Sequence, residues 1–442
     1  MTNFLSSLIR SFPRVGRPAL VGAGCIVLAS NAALAQTKTW TGSVSSNWNV
    51  AGNWAPAGVP GGADDVLIPA SAGFVLIDSS VPTVHSVALA STLQLYYSNL
   101  TINGGGLSLD GGTVVITTPN NNGINFVSNA QSISGTGTVS FDDQGGFSNP
   151  HIRAFGVPVT IGAGVTCRST SGEGEITTDT TGSVTVLGTV RASTGTIYLS
   201  GNITNYDSTT VALTGGTWWC DSGSISFSVP VPITSIGPGT TVKFGGGGFS
   251  YGVGLGQLAA NLGTIQALSG ADVTFAPGGG IFQNNGTVTL GTGSILHVNG
   301  EFRQTSPGAL LDISLSSSLS QPAQAQVIAH GTNGSGNSPV RLGGTVRATF
   351  AGPILPDCND TFDLVTGSTR NGTMFAGGQF VPAEVNGTLD AVGNGVVQLR
   401  VGGNCPVQHG CAGVDFNNDG LFPDTQDIED FLRVFAGGPC SQ

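Results

Sequence analysis

Charge is scarce in this chain, and basic charge is scarcest. Lysine and arginine together number 14 and aspartate and glutamate 25 among 442 residues, for a net charge of −11. Nucleic acids and anionic membranes are bound chiefly through lysine and arginine, so the composition argues against both as partners. Intrinsic disorder is unsupported as well, because it needs low hydrophobicity with high charge and the mean hydropathy here is +0.20. Proline is moderate at 22 residues and no G-X-Y period exists, which removes a collagen-like reading. Beyond the N-terminal region no apolar run is long enough for a membrane anchor. Helix signals are almost missing before the last thirty or so residues.

Glycine is abundant instead, at 70 residues. Together with many Thr, Ser, Asn and Val residues it points to numerous short strands joined by tight turns. From about Ser86 onward the apolar residues come in alternating pairs: Leu93/Leu95, Leu100/Ile102, Leu107/Leu109 and Val114/Ile116, at steps of seven. The pattern returns at Val273/Phe275, Ile281, Val288/Leu290, Ile295 and Phe302. Alternation within a pair marks a strand with one buried face, and the Gly/Asn/Ser clusters between pairs mark turns. Three such strands make a coil of about twenty residues, a length suited to stacked solenoid repeats. The predicted fold is all-β: a right-handed parallel β-helix over 86–339, with a closing β-region over 340–403. A β-sandwich is the rival, but sandwich strands carry longer alternation with turns every eight to twelve residues. Between Thr118 and Ser183 the spacing is irregular, and protruding loops are expected there.

The N-terminal region reads as a secretory signal over 1–35. Arg10, Arg14 and Arg17 supply positive charge with no acidic residue before Asp64, and Ala19 to Ala29 is a short apolar core. Ala33-Leu34-Ala35 is a small-residue cleavage site. A lipoprotein reading around Cys25 is weakened by Gly22, which stands where a large aliphatic residue is wanted. Cleavage after Ala35 would shift the net charge from −11 to −14 and leave a secreted or cell-surface protein with no membrane insertion. Of the six later cysteines, Cys358, Cys405, Cys411 and Cys440 lie in or near the polar tail, where disulfides are expected for an exported chain. Cys411 with Cys440 would clasp the tail, and Cys358 with Cys405 would tie it to what precedes. For Cys167 and Cys220, buried free thiols are an equally good reading.

Over 36–85, Trp40-Thr-Gly42, Asn47-Trp48, Asn53-Trp54, Gly58-Val-Pro60 and Asp64-Asp65-Val66-Leu67-Ile68 form a series that resembles the N-terminal cap of autotransporter-like β-helix proteins. A first solenoid coil has an open edge and an exposed core that something bulky must cover. The competing use of three tryptophans is a sugar-stacking platform. The strands Val340-Arg-Leu342, Val346 to Phe350, Phe362 to Val365 and Val396 to Val401 resemble the closing β-structure that follows secreted bacterial β-helices.

The segment 404–442 carries the most specific signal. Asp415, Asn417 and Asp419 alternate ahead of Gly420, and six acidic residues fall between Asp415 and Asp430. Oxygen ligands at every second place suit a hard cation such as Ca²⁺, and the glycine permits the sharp turn between them. Ile428, Phe431, Leu432 and Phe435 then recur at helical spacing. The segment resembles the dockerin-like, EF-hand-like tails of large secreted planctomycete proteins, as a half-dockerin with one loop and one helix. That resemblance implies Asp415, Asn417 and Asp419 as the first calcium ligands, the Leu421 carbonyl as the next, and a cohesin-like or other surface protein as partner. It departs at the closing position, where Gln426 stands; one inserted residue near Phe422-Pro423 would restore Asp427, with Asp424 direct or through water.

Catalytic patterns are thin. Asp142-Asp143 and Glu173-Gly-Glu175 are the paired acids between cap and tail, with Arg153 and Arg168 as candidate basic partners. Many β-helix proteins are polysaccharide lyases or hydrolases that set such groups on one face. His151 and His297 read as isolated, which argues against zinc. The function expected is structural or adhesive, at the cell surface and anchored by the calcium-binding tail. The alternative is a carbohydrate-active enzyme, with a polysaccharide as ligand and the same tail.

Overall fold

In this computed structural model the described residues run from 35 to 402, apart from 119–121, 144–148, 229–231, 246–254, 317–323, 352–355, 357–358 and 382–384, together with 428, 429, 432 and 433. Among the described residues, 37 strands and three single-turn 3₁₀ helices build a parallel β-solenoid of about 11 turns. No helix among the described residues is long and apolar enough to cross a membrane.

Cross-rung register shows how the stack is made. On one face the inward residues form a continuous column: Val75, Leu93, Val114, Val139, Cys167, Val190, Trp218, Val242, Ile265, Val288, Leu311 and Val346, each paired in parallel with the next. All twelve are 0–1% exposed. From Val242 through Ile265 and Val288 to Leu311 each turn takes 23 residues; the turn from Val75 to Leu93 takes 18 and that from Leu311 to Val346 takes 35. The strand geometry holds the rung spacing constant, and turns of different length absorb the variation.

The seven-residue steps correspond to the three sides of a coil. Leu93 and Leu95, Leu100 and Ile102, Leu107 and Leu109, and Val114 and Ile116 are all buried. Leu100–Thr118 bends around two corners, so that its start pairs with Gly123–Phe126 and its end with Thr92–Tyr96. The expected phase slips at two later positions. Ile281 and Ile295 are only half-buried, and the neighbouring Phe282 and Leu296 point inward. A one-residue shift reverses the face of a strand, and the larger Phe282 belongs to an aromatic stack: Phe244, Phe275, Phe282 and Phe302 follow one another at centroid distances of 6.1, 5.2 and 6.1 Å.

Two devices serve at corners of the coil. Where rungs touch backbone to backbone, no side chain fits: a Cβ on Gly195 would lie 1.4 Å from the Gly172 carbonyl oxygen. Elsewhere a buried amide ladder supplies the hydrogen bonds. Asn261 Nδ2 donates to Asn284 Oδ1 at 2.8 Å, Asn284 Nδ2 to Gln304 Oε1 at 2.7 Å, and Gln304 Nε2 to the Gly343 and Thr345 carbonyls at 3.2 and 3.1 Å. All three amide side chains are 0% exposed.

Parallel pairing is not confined to 86–339. It begins with Thr37–Trp40 on Asp65–Ile68 and continues through Thr345–Phe350 to Gly377–Val381. It gives way to antiparallel pairing where Val396–Val401 joins both Thr361–Thr366 and Gly387–Val392. At the other end Trp40 and Trp54 pair in an antiparallel ribbon. Trp48 and Trp54 meet edge to face at 4.8 Å, and Trp40 meets Trp54 at 4.9 Å. The three rings are at most 2% exposed, so no ring face is open to a sugar.

Candidate functional site

The calcium set Asp415, Asn417, Asp419, Leu421, Asp424 and Asp427 lies outside the described residues, as do Cys358, Cys405, Cys411 and Cys440. Of the tail, Ile428, Glu429, Leu432 and Arg433 are helical, with Ile428 57% and Leu432 56% exposed. Cys167 and Cys220 are buried free thiols, and burial pushes each pKa up to about 12. Such thiols are inert as nucleophiles.

The paired acids fall on adjacent rungs around one corner. Asp142 and Asp143 end the strand Gln131–Asp143, and Glu173 opens Glu173–Thr178 just after the turn at Ser171 and Gly172. Ser171 Oγ donates to Asp142 Oδ1 at 2.6 Å. Tyr198 on the following rung donates its hydroxyl to Glu173 Oε1 at 2.9 Å, which raises the tyrosine pKa. Ser200 Oγ donates to Glu175 Oε1 at 2.8 Å, and Arg153 Nη2 approaches Glu175 Oε2 at 4.0 Å. The fold thus brings Arg153 to Glu175 and leaves Arg168 on a different face, aligned with Ser140 and Arg191. The acids whose partners are seen hold neighbouring rungs together through hydroxyl donors. A surface groove of about 430 Å³ elsewhere, lined by Leu67, Ala88, Ser108, Thr136 and others, includes a single carboxylate, Asp110.

His151 is 1% exposed, with Nε2 3.1 Å from Asn125 Oδ1. Burial, and then the positive charge of Arg153, push its pKa down to about 4, so it is neutral at physiological pH. His297 is not isolated. Its Nδ1 lies 2.7 Å from His330 Nε2 and its Nε2 lies 3.3 Å from Asp272 Oδ1, with the imidazoles stacked at 4.9 Å. Burial lowers its pKa, Asp272 opposes that, and His330 adds to it. Asp272 and His330 occupy opposite nitrogens of the ring and so do not face one point. No three His, Cys, Asp or Glu among the described residues converge as metal ligands. The separation of His297 from His330 is the length of one long turn, a relation invisible until the register is known.

A row on the outer surface has no local sequence signature and emerges only from the register. Arg168, Arg191, Trp219 and Lys243 occupy equivalent positions on four consecutive rungs. Arg191 lies over the Trp219 ring with its guanidinium carbon 3.8 Å from the centroid, and Lys243 Nζ is 5.1 Å from the same centroid. Asp221 Oδ2 accepts from Arg191 Nε at 2.7 Å and lies 2.7 Å from Nη2. Contacts of this kind between a cation and an indole face are worth about 0.5–2 kcal/mol.

Neither a protein family, a curated protein nor a solved structure matches this chain.

Proposed function

We propose that this is a secreted structural or adhesive surface protein: a right-handed β-helix that presents a long polar face and is anchored through a calcium-binding, dockerin-like tail. The observation that carries the reading is the solenoid of about 11 turns, whose engaged acids and histidines serve rung-to-rung contacts. The donor chemistry of the tail supports its second half, since four carboxylates and one amide oxygen suit a hard cation. Asp415, Asn417, Asp419, Asp427 and the Leu421 carbonyl would hold the ion, with Asp424 direct or through water. The exposed Ile428 and Leu432 suit docking on a cohesin-like or other surface protein. The test is retention of the full chain by surface extracts. Retention in calcium that is lost with chelator and in Asp419→Ala is the expected result; equal retention in all three conditions removes the anchoring role.

A second reading, a carbohydrate-active enzyme, is favoured by one observation: Asp142, Asp143 and Glu173 gather at a single corner. Product release from a polysaccharide array, abolished in Glu173→Gln and Asp142→Asn, would establish it.

A further inference from the structure

Most of the few cations after Ala35 are tied down. Arg303 and Arg341 meet Glu301, Arg347 meets Asp312, and Arg400 meets Asp390. Lys38 donates to the Pro56 and Ala57 carbonyls, and Arg370 to the Gly393 carbonyl. Arg168 and Lys243 make no ion pair among the described residues, and Arg168 is exposed. They bracket Arg191 and Trp219 in one row, which ends in neutral residues, Ser140 before it and Gln266 after it. Arg191 is held by Asp221 through Nε and Nη2, and its Nη1 has no partner among the described residues. With rungs about 4.8 Å apart, the row is roughly 14 Å long.

Beside this row runs another, two residues earlier on the same strands and therefore on the same face. Thr166, Thr189, Thr217 and Thr241 pair in register across those four rungs, and Thr138 and Thr264 extend the line on either side. These threonines are half-exposed, and the hydroxyls of the four are in no side-chain hydrogen bond among the described residues. A line of hydroxyls about 7 Å from a line of cations presents donors and acceptors in one track and positive charge in the other.

We propose that this double row binds a carboxylated polysaccharide laid along the solenoid axis. Arg168, Arg191 and Lys243 would take its carboxylates, and the threonines its hydroxyls. Arg191 Nη1 can donate to one carboxylate oxygen while Trp219 and Asp221 hold the guanidinium in place, which lowers the entropy lost on binding. Three cations on a chain of net charge −11 are too few for the dense phosphate contacts of a nucleic acid. A ligand with spaced charge and many hydroxyls fits both rows. Both faces of Trp219 lie toward the neighbouring cations, so its part is to position them.

The inference deepens the adhesive reading by naming a ligand class, and its test runs with chelator present, so that neither the calcium tail nor a calcium bridge contributes. The full chain is titrated with polygalacturonate, with dextran as neutral control and single-stranded DNA as a second polyanion. The expected result is binding of polygalacturonate alone, weakening as salt rises, and at least tenfold weaker in the Arg168→Ala/Lys243→Ala pair. Thr217→Val should weaken it less, and Arg400→Ala, which lies outside the row, not at all. Both substitutions of the pair are on the surface, and an unchanged melting temperature verifies the fold. Absence of polygalacturonate binding, undiminished binding by the double variant, or equal binding of DNA would each overturn the proposal. None of these outcomes bears on retention by surface extracts in calcium.

Discussion

At the scale of single residues, burial decides chemistry more than residue type does. His151 carries an imidazole, yet its surroundings favour the neutral form. The folded chain holds its pKa near 4 against an ordinary value of 6.5. Between those values the unfolded chain binds the proton and the folded chain does not, so stability rises with pH across that window. The contribution is whole above about pH 6.5, falls as pH drops toward 4, and levels off below. Its size is on the order of 3 kcal/mol, from 1.36 kcal/mol per pKa unit. Replacing His151 with Gln should therefore flatten the loss of stability between pH 6.5 and 4, measured by denaturant unfolding at several pH values. An unchanged slope would place the acid sensitivity elsewhere. The histidine's identity and position were legible in the sequence, but its environment was not. Asn125 stands 26 residues away, on the preceding rung.

At the scale of the strand and the rung, local pattern and cross-rung pairing differ in what a sequence reveals. Apolar pairs at steps of seven disclosed the three-sided coil, because side-chain alternation is a property of adjacent residues. Partners across rungs depend on turn length, which varies between 18 and 35 residues along one column. That variation hid the His297–His330 contact, the Arg168-to-Lys243 row and the amide ladder alike. The ladder makes the strongest element-level prediction. Asn284 accepts from Asn261 and donates to Gln304, all three side chains out of contact with water, and it also donates to the Leu310 carbonyl. Asn284→Ala strands polar groups on the two neighbouring rungs, each costing about 1–3 kcal/mol when left unsatisfied. The variant should unfold at distinctly lower denaturant concentration. Asn285→Ala, at the next residue but exposed, should change stability by less than about 0.5 kcal/mol. If the two variants behave alike, the ladder does not contribute as its geometry implies.

At the scale of the whole molecule, the solenoid and the proposed calcium tail should differ in what stabilises them. Rung contacts repeat from neighbour to neighbour, so a stack's stability approximates a sum of local terms and needs no metal. The tail's sequence carries six acidic residues between Asp415 and Asp430 and few apolar ones, Ile428, Phe431, Leu432 and Phe435 among them. By its donor chemistry, calcium binding and folding should be coupled there. If these carboxylates form the proposed site, those of Asp415, Asp419, Asp424 and Asp427 would repel one another without a cation and keep the loop open. Chelation of the full chain should therefore raise amide exchange after Val414 while exchange in the inward strands, such as Thr241–Phe244 and Thr287–Leu290, stays as it was. Asp419→Ala should reproduce that result even in excess calcium, since it removes a proposed ligand beside Gly420. Binding heat that survives Asp415→Ala and Asp419→Ala together would mean the ligands lie elsewhere. Faster exchange throughout the solenoid on chelation would mean that the two regions do not fold independently.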